Sequence, residues 1–181
     1  MEDLKIWALL YREIATKLSD AISEVEWLDL WHNQVGFLED EHNFTTPAVF
    51  LAFSILGEPE DLGVHAQRIR VQVDVYYYYE TFEDTYNGAY NQTDALTFLN
   101  CISEIHAVLH GSSGDCYSEC KRVGFGAVDT GSAGNLYRQS FTMLVEDASA
   151  SPPLTEASPG DVVIEKGSGQ TVEKEKKFLI P

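Results

Sequence analysis

Basic residues are scarce in this chain. Its 181 residues carry 12 Lys and Arg against 29 Asp and Glu, a formal charge of −17. A chain so acidic cannot hold nucleic acid by neutralising phosphates, which takes clustered Lys and Arg. It could still surround a duplex without gripping it, because a negative wall repels phosphates. Long apolar runs are missing too. No stretch approaches the ~20 apolar residues of a membrane span. The opening Met1-Glu2-Asp3 lacks the basic start of a secretory signal. The three cysteines are few and odd in number, which argues against a disulfide framework and for a reducing cytoplasm. The sequons at Asn43 and Asn91 are then coincidences.

Signatures of catalysis are also wanting. There is no GxSxG, no phosphate loop ending in GK[ST], no HExxH and no dinucleotide fingerprint. The acidic groups Glu39-Asp40-Glu41 and Glu80/Glu83/Asp84 lack the ligand ladder of a calcium loop and read as solvated loops. No enzyme is expected, and no cofactor. One chemical candidate stands out. His106 and His110 are four apart on a predicted helix, and Cys116 and Cys120 follow at the same spacing. Two imidazoles and two thiolates suit tetrahedral zinc, which gives the alternative of a small metal- or ligand-binding accessory module. The order is inverted relative to the common finger, however, and the cysteine spacing is wider than a knuckle. The simpler expectation puts His106 beside the apolar stripe, His110 at the helix end, and the cysteines in packing or a loop.

What the chain does have is a long alternating run, Gln67–Tyr79. Ile69, Val71, Val73, Val75, Tyr77 and Tyr79 fall on one side; Arg68, Arg70, Gln72, Asp74, Tyr76 and Tyr78 on the other. A period of two over this length predicts a strand about twice the usual five or six residues. Arg and Tyr on its second side are residues that interfaces favour. Arg68, Arg70, Asp74, Tyr76 and Tyr78 are therefore the candidates for a subunit contact or a channel lining.

Around it, Glu2–Ile22 reads as an amphipathic helix with Leu4, Trp7, Tyr11, Ile14 and Leu18 in its stripe. Residues 25–31 suggest a short strand or an ordered loop, and Thr46–Phe53 a strand. Gly57–Gly63 reads as a turn. Thr93–His110 reads as a second helix, capped by Thr93 and ended by Gly111. Tyr117–Asp129 and Asn135–Val145 read as a hairpin around the Gly/Ser turn at 130–134. After Glu146 the composition shifts to Ser, Pro, Gly and Lys, with apolar islands at 162–164 and 178–180. The expected fold is α+β: a mainly antiparallel sheet of about four strands with two helices on one face, in the order α-β-β-α-β-β. The expected organisation is a domain over 1–146 and a flexible or extended arm over 147–181.

That order, carried by DLKIWALLYREIATKL, TPAVFLAF, QRIRVQVDVYYYY, TDALTFLNCISEIHAVLHG and NLYRQSFTMLV, resembles the tail terminator and tail-completion proteins of long-tailed bacteriophages. The resemblance covers roughly residues 1–146 and rests on order and texture, with no signature motif. It implies a structural virion protein, assembled in the host cytoplasm. It also implies a ring, a hexamer, at the head-proximal end of the tail. There the ring would end tube growth and meet a neck or head-completion protein on one side and the tail-tube protein on the other. DNA would pass through it without specific binding, and no membrane is involved. The C-terminal extension departs from the compact family form, so the resemblance assigns it no role.

Overall fold

The computed structural model describes residues 4–37, 44–80, 83–130 and 135–152. The chain divides into two units, Met1–Ser151 and Pro152–Pro181, and all the architecture below belongs to the first. The expected arm at 147–181 lies outside the described residues from position 153 onward.

Six strands form one sheet: β1 (Trp27–Leu30), β2 (Ala48–Ile55), β3 (Glu60–Gly63), β4 (Ala66–Tyr79), β5 (Ser118–Val128) and β6 (Asn135–Asp147). Their order is β1-β2-β4-β6-β5, with β3 also pairing β4. Neighbours run antiparallel except β1 and β2. The predicted long strand is β4, fourteen residues, at the centre. Its length lets two short strands share one of its edges. β3 pairs with Ala66–Arg68 and β2 with Val71–Tyr78, while β6 covers the other edge from Gln67 to Tyr79.

Two of the six strands exceed the expected count. β1 is the short segment that the sequence left open between strand and loop. β3 replaces part of the loop expected at Gly57–Gly63. All four of its residues are exposed, so it shows no alternation to read. It pairs with β4 through the backbone, Glu60 opposite Arg68 and Asp61 opposite Gln67, and Arg68 adds ion pairs to Glu60 at 3.4 Å and to Glu146 on β6 at 2.7 Å.

Helix α1 (Ile6–Ala21) buries Leu10, Ile14 and Leu18, one residue per turn on one stripe. It starts four residues later than expected. The second predicted helix is broken into α2 (Gln92–Ala95) and α3 (Phe98–Leu109). The break has a local cause. The Thr97 hydroxyl donates to the Asp94 carbonyl at 2.7 Å, and i→i+3 bonds link Thr97 to Asp94, Leu99 to Leu96 and Asn100 to Thr97. A β-branched residue bonding back to the preceding turn tightens the helix there. Thr97, not Thr93, occupies the cap of the longer helix, and His110 ends it with its N–H on the His106 carbonyl.

Helices α1 and α3 share one core with the inner side of β4. Leu10, Ile14, Leu18, Ile102, Ile105 and Leu109 pack with Ile69, Val71, Val73, Val75 and Tyr77. The two-helices-on-one-face arrangement is thus present. A second, smaller core sits on the opposite side of the sheet. Val35, Ala48, Phe50, Tyr76, Tyr78 and Leu136 are buried there, with Trp31 and Phe44 packed over them.

Candidate assembly surface

The outer side of the sheet is built by β4 and β6 in register. Arg68 faces Glu146, Arg70 faces Leu144, Gln72 faces Thr142, Asp74 faces Ser140, Tyr76 faces Arg138 and Tyr78 faces Leu136. Residues directly opposite in an antiparallel pair share a face, so this single register places all five candidates of β4 on one surface. The second core divides that surface. At its Tyr78 end, Trp31 stacks on Tyr76 with ring centres 4.2 Å apart and planes 10° from parallel. Phe44 meets Phe50 and Tyr78 edge-on at 5.1 and 5.6 Å. Tyr76 and Tyr78 are only 9% and 1% exposed, and the Tyr78 hydroxyl donates to Glu80 at 2.7 Å. Burial, with Glu80 beside it, pushes the Tyr78 phenol well above its ordinary value. These two tyrosines, expected at a contact or channel, are core residues of the protomer. Their cover comes from Trp31, Val35 and Phe44.

The other end of the surface is uncovered. Arg70 is exposed, and Gln72, Asp74, Thr142 and Leu144 are half-buried. Asp74 accepts from the Gln72 amide at 3.1 Å and from the Ser140 hydroxyl at close range. Arg68 is committed to its two carboxylates. Of the five candidates, Arg70 is therefore the exposed cation and Asp74 a carboxylate held by neutral donors.

The two lateral edges of the sheet differ. On β1, side chains cap the backbone. Leu30 N–H donates to the Asp29 carboxylate at 2.7 Å, Gln34 donates to the Leu30 carbonyl at 2.8 Å, and the Tyr11 hydroxyl reaches the Leu28 carbonyl at 3.5 Å. On β5 only the first half is capped. Cys120 N–H donates to the Ser112 carbonyl at 3.1 Å, Gly111 donates to the Cys120 carbonyl at 2.7 Å, and Arg122 N–H donates to His110 Nδ1 at 3.0 Å. From Val123 to Val128 no bond from another loop or helix among the described residues reaches this edge, and Val123 and Phe125 are 58% and 54% exposed.

A polar clamp ties α1 to the loop before β5. The Glu13 carboxylate accepts from the backbone of Asp115 at 3.0 Å and of Cys116 at 2.9 Å, and pairs with Lys17 at 3.2 Å. Lys17 donates to the Ser113 carbonyl at 2.7 Å and to the Tyr117 hydroxyl at 2.8 Å. Desolvation raises the Glu13 pKa, but the Cys116 and Asp115 amides and Lys17 outweigh it and hold the carboxyl below its usual range. Gly114 is required by this contact, because a Cβ there would sit 1.5 Å from Glu13 Oε1.

The zinc candidates are not gathered. His106 and His110 lie with ring centres 4.7 Å apart, but His110 Nδ1 is taken by Arg122. Cys120 is fully buried in the main core and Cys116 sits in the clamped loop. Burial pushes the Cys120 thiol up to about 11, away from the thiolate a metal needs. Among the described residues no three His, Cys, Asp or Glu side chains converge.

No protein-family model matches the chain, and no curated protein matches it. Among solved structures, a chain of the virion of the native gene transfer agent particle is similar over 78% of this chain and 92% of that chain, with a TM-score of 0.39 and 10% identity. A likeness at that level establishes neither family nor function.

Proposed function

We propose that this chain is a structural virion protein of a tailed phage-type particle. Its specific part is the tail terminator, a ring at the head-proximal end of the tail that ends tube growth, joins tail to neck and lets DNA pass. One observation carries the reading. The outer side of a long central strand is packed at one end and left open at the other, with Arg70, Gln72 and Asp74 in a row beside Thr142 and Leu144. Such a mixed polar and apolar stripe on a rigid sheet suits contact with another copy. The sheet's two lateral edges are unlike each other, as a head-to-tail ring requires. The acidic balance of the whole chain, −17, suits a channel through which a polyanion slides. The element order supports the same family on the grounds given above. The test is the charge reversal Arg70→Glu, read by light scattering together with a melting curve. Loss of the assembled mass at unchanged melting temperature supports the reading. An unchanged assembled mass places the contact elsewhere.

A further inference from the structure

We propose that the open half of β5, Val123–Val128, receives an added strand from the segment Asp161–Glu165 of a second copy. The proposal rests on the reading that copies of this chain assemble, and names one contact by which they do so.

An unpaired strand edge presents backbone donors and acceptors that template another strand, and proteins usually blunt such edges. Here one edge is blunted and the other only half so. β1 is four residues long and capped by Asp29, Gln34 and Tyr11. β5 is eleven residues long, is capped among the described residues only as far as Arg122, and after a bulge at Val123 runs regularly to Val128. The uncapped part is apolar and aromatic. Val123 and Phe125 stand exposed, Phe125 stacks on Tyr137 at 5.8 Å, and Arg122 lies over the Phe125 ring at 6.0 Å. Gly126 has open space where a Cβ would be, which lets another backbone approach.

Charge then selects the occupant. In a chain with 12 cationic side chains against 29 acidic ones, Arg122 stands at the start of this half of β5, and Arg138 on β6 pairs with Gly126 further along it. A complementary strand is apolar and flanked by acids. The segment Asp161-Val162-Val163-Ile164-Glu165 has that composition: three β-branched residues in a row between two carboxylates. Beyond the bulge at Val123 the strand alternates regularly, so one face of the added strand could lay Val162 and Ile164 against Phe125 and Ala127. Eight residues, 153–160, separate the segment from the described chain. Extended, they reach about 26–29 Å, enough to span to a neighbour. Backbone bonds along the edge would supply affinity, and the apolar pair and the carboxylates would supply selectivity.

The experiment uses two full-length variants. Val163→Pro removes a backbone donor from the segment, and Val123→Asp with Phe125→Asp spoils the edge at exposed positions. Each variant alone should lose the inter-copy contact and drop in mass by light scattering. An equimolar mixture should recover a two-chain species, since one junction then has an intact donor and an intact acceptor. Hydrogen exchange should show β5 amides beyond Arg122 opening in the Val163→Pro chain while Ile69–Val75 stays protected. An unchanged mass for Val163→Pro overturns this inference and leaves the ring reading standing. Wild-type chain at the mass of one copy overturns both. Arm-linked pairs that never close into a ring support the inference and overturn the ring.

Discussion

Glu13→Gln is the most informative single substitution for the fold. The glutamate accepts two backbone N–H groups and one ammonium, and its side chain is 19% exposed. A glutamine keeps the shape but turns one acceptor into a donor, leaving either Asp115 or Cys116 N–H unpaired and Lys17 without its counter-charge. Hydrogen bonds to charged groups contribute about 1.5–3 kcal/mol, and partial exposure argues for the lower part of that range for the whole loss. For a unit of this size that is roughly a 3–8 °C fall in melting temperature at neutral pH. The pH dependence gives the stronger test. The folded-state pKa of Glu13 lies below its unfolded value of 4.5. Its ionic contribution is therefore complete above 4.5 and disappears as pH falls through the lower, folded value. Melting curves of both chains should be well separated near neutral pH and converge in acid. A gap that is absent near neutral pH, or that persists undiminished in strong acid, refutes the clamp.

Three further outcomes follow from the same geometry. Gly114→Ala should displace Glu13 and cost about as much as Glu13→Gln, and the double variant should be no worse than either, since both remove one contact; additive losses in urea denaturation contradict this. Phe50→Ala, at a fully buried site of the second core, should cost about 3–5 kcal/mol by denaturation, and a loss below about 1 kcal/mol would mean that Trp31 and Phe44 do not pack on it as described. Thiol labelling near neutral pH should reach Cys116 first, because burial pushes Cys101 and Cys120 up to about 11 and leaves little thiolate; equal labelling of all three in the folded chain contradicts the core assignment.

The sequence made the central strand plain because β4 is buried on one side along its whole length, and period two survives wherever one side is buried. It misled at the far end of the same strand. Tyr76 and Tyr78 alternate with Tyr77 and Tyr79 as surface residues would, yet both sides are covered there, and four tyrosines in a row carry no contrast to reveal it. The cover comes from Trp31, Val35 and Phe44, which are distant from the strand in sequence and do not belong to one periodic run. β3 was invisible for the opposite reason: all four of its residues are exposed, so no buried side leaves a period to read, and only its backbone pairing with Ala66–Arg68 makes it a strand. The break at Thr97 was hidden because the apolar stripe from Ala95 to Leu109 runs through it unbroken, and only the Thr97 hydroxyl bond reveals the junction. The open edge of β5 has no sequence signature, because an edge is defined by which strands do not come beside it.

The central claim is that copies of this chain close into a ring with a passage through it. Electron microscopy of the purified full-length protein tests it most directly. Annular particles of uniform size, six copies around a central opening, are the predicted result. Single 181-residue chains at every concentration tried, or open filaments without closure, would contradict it.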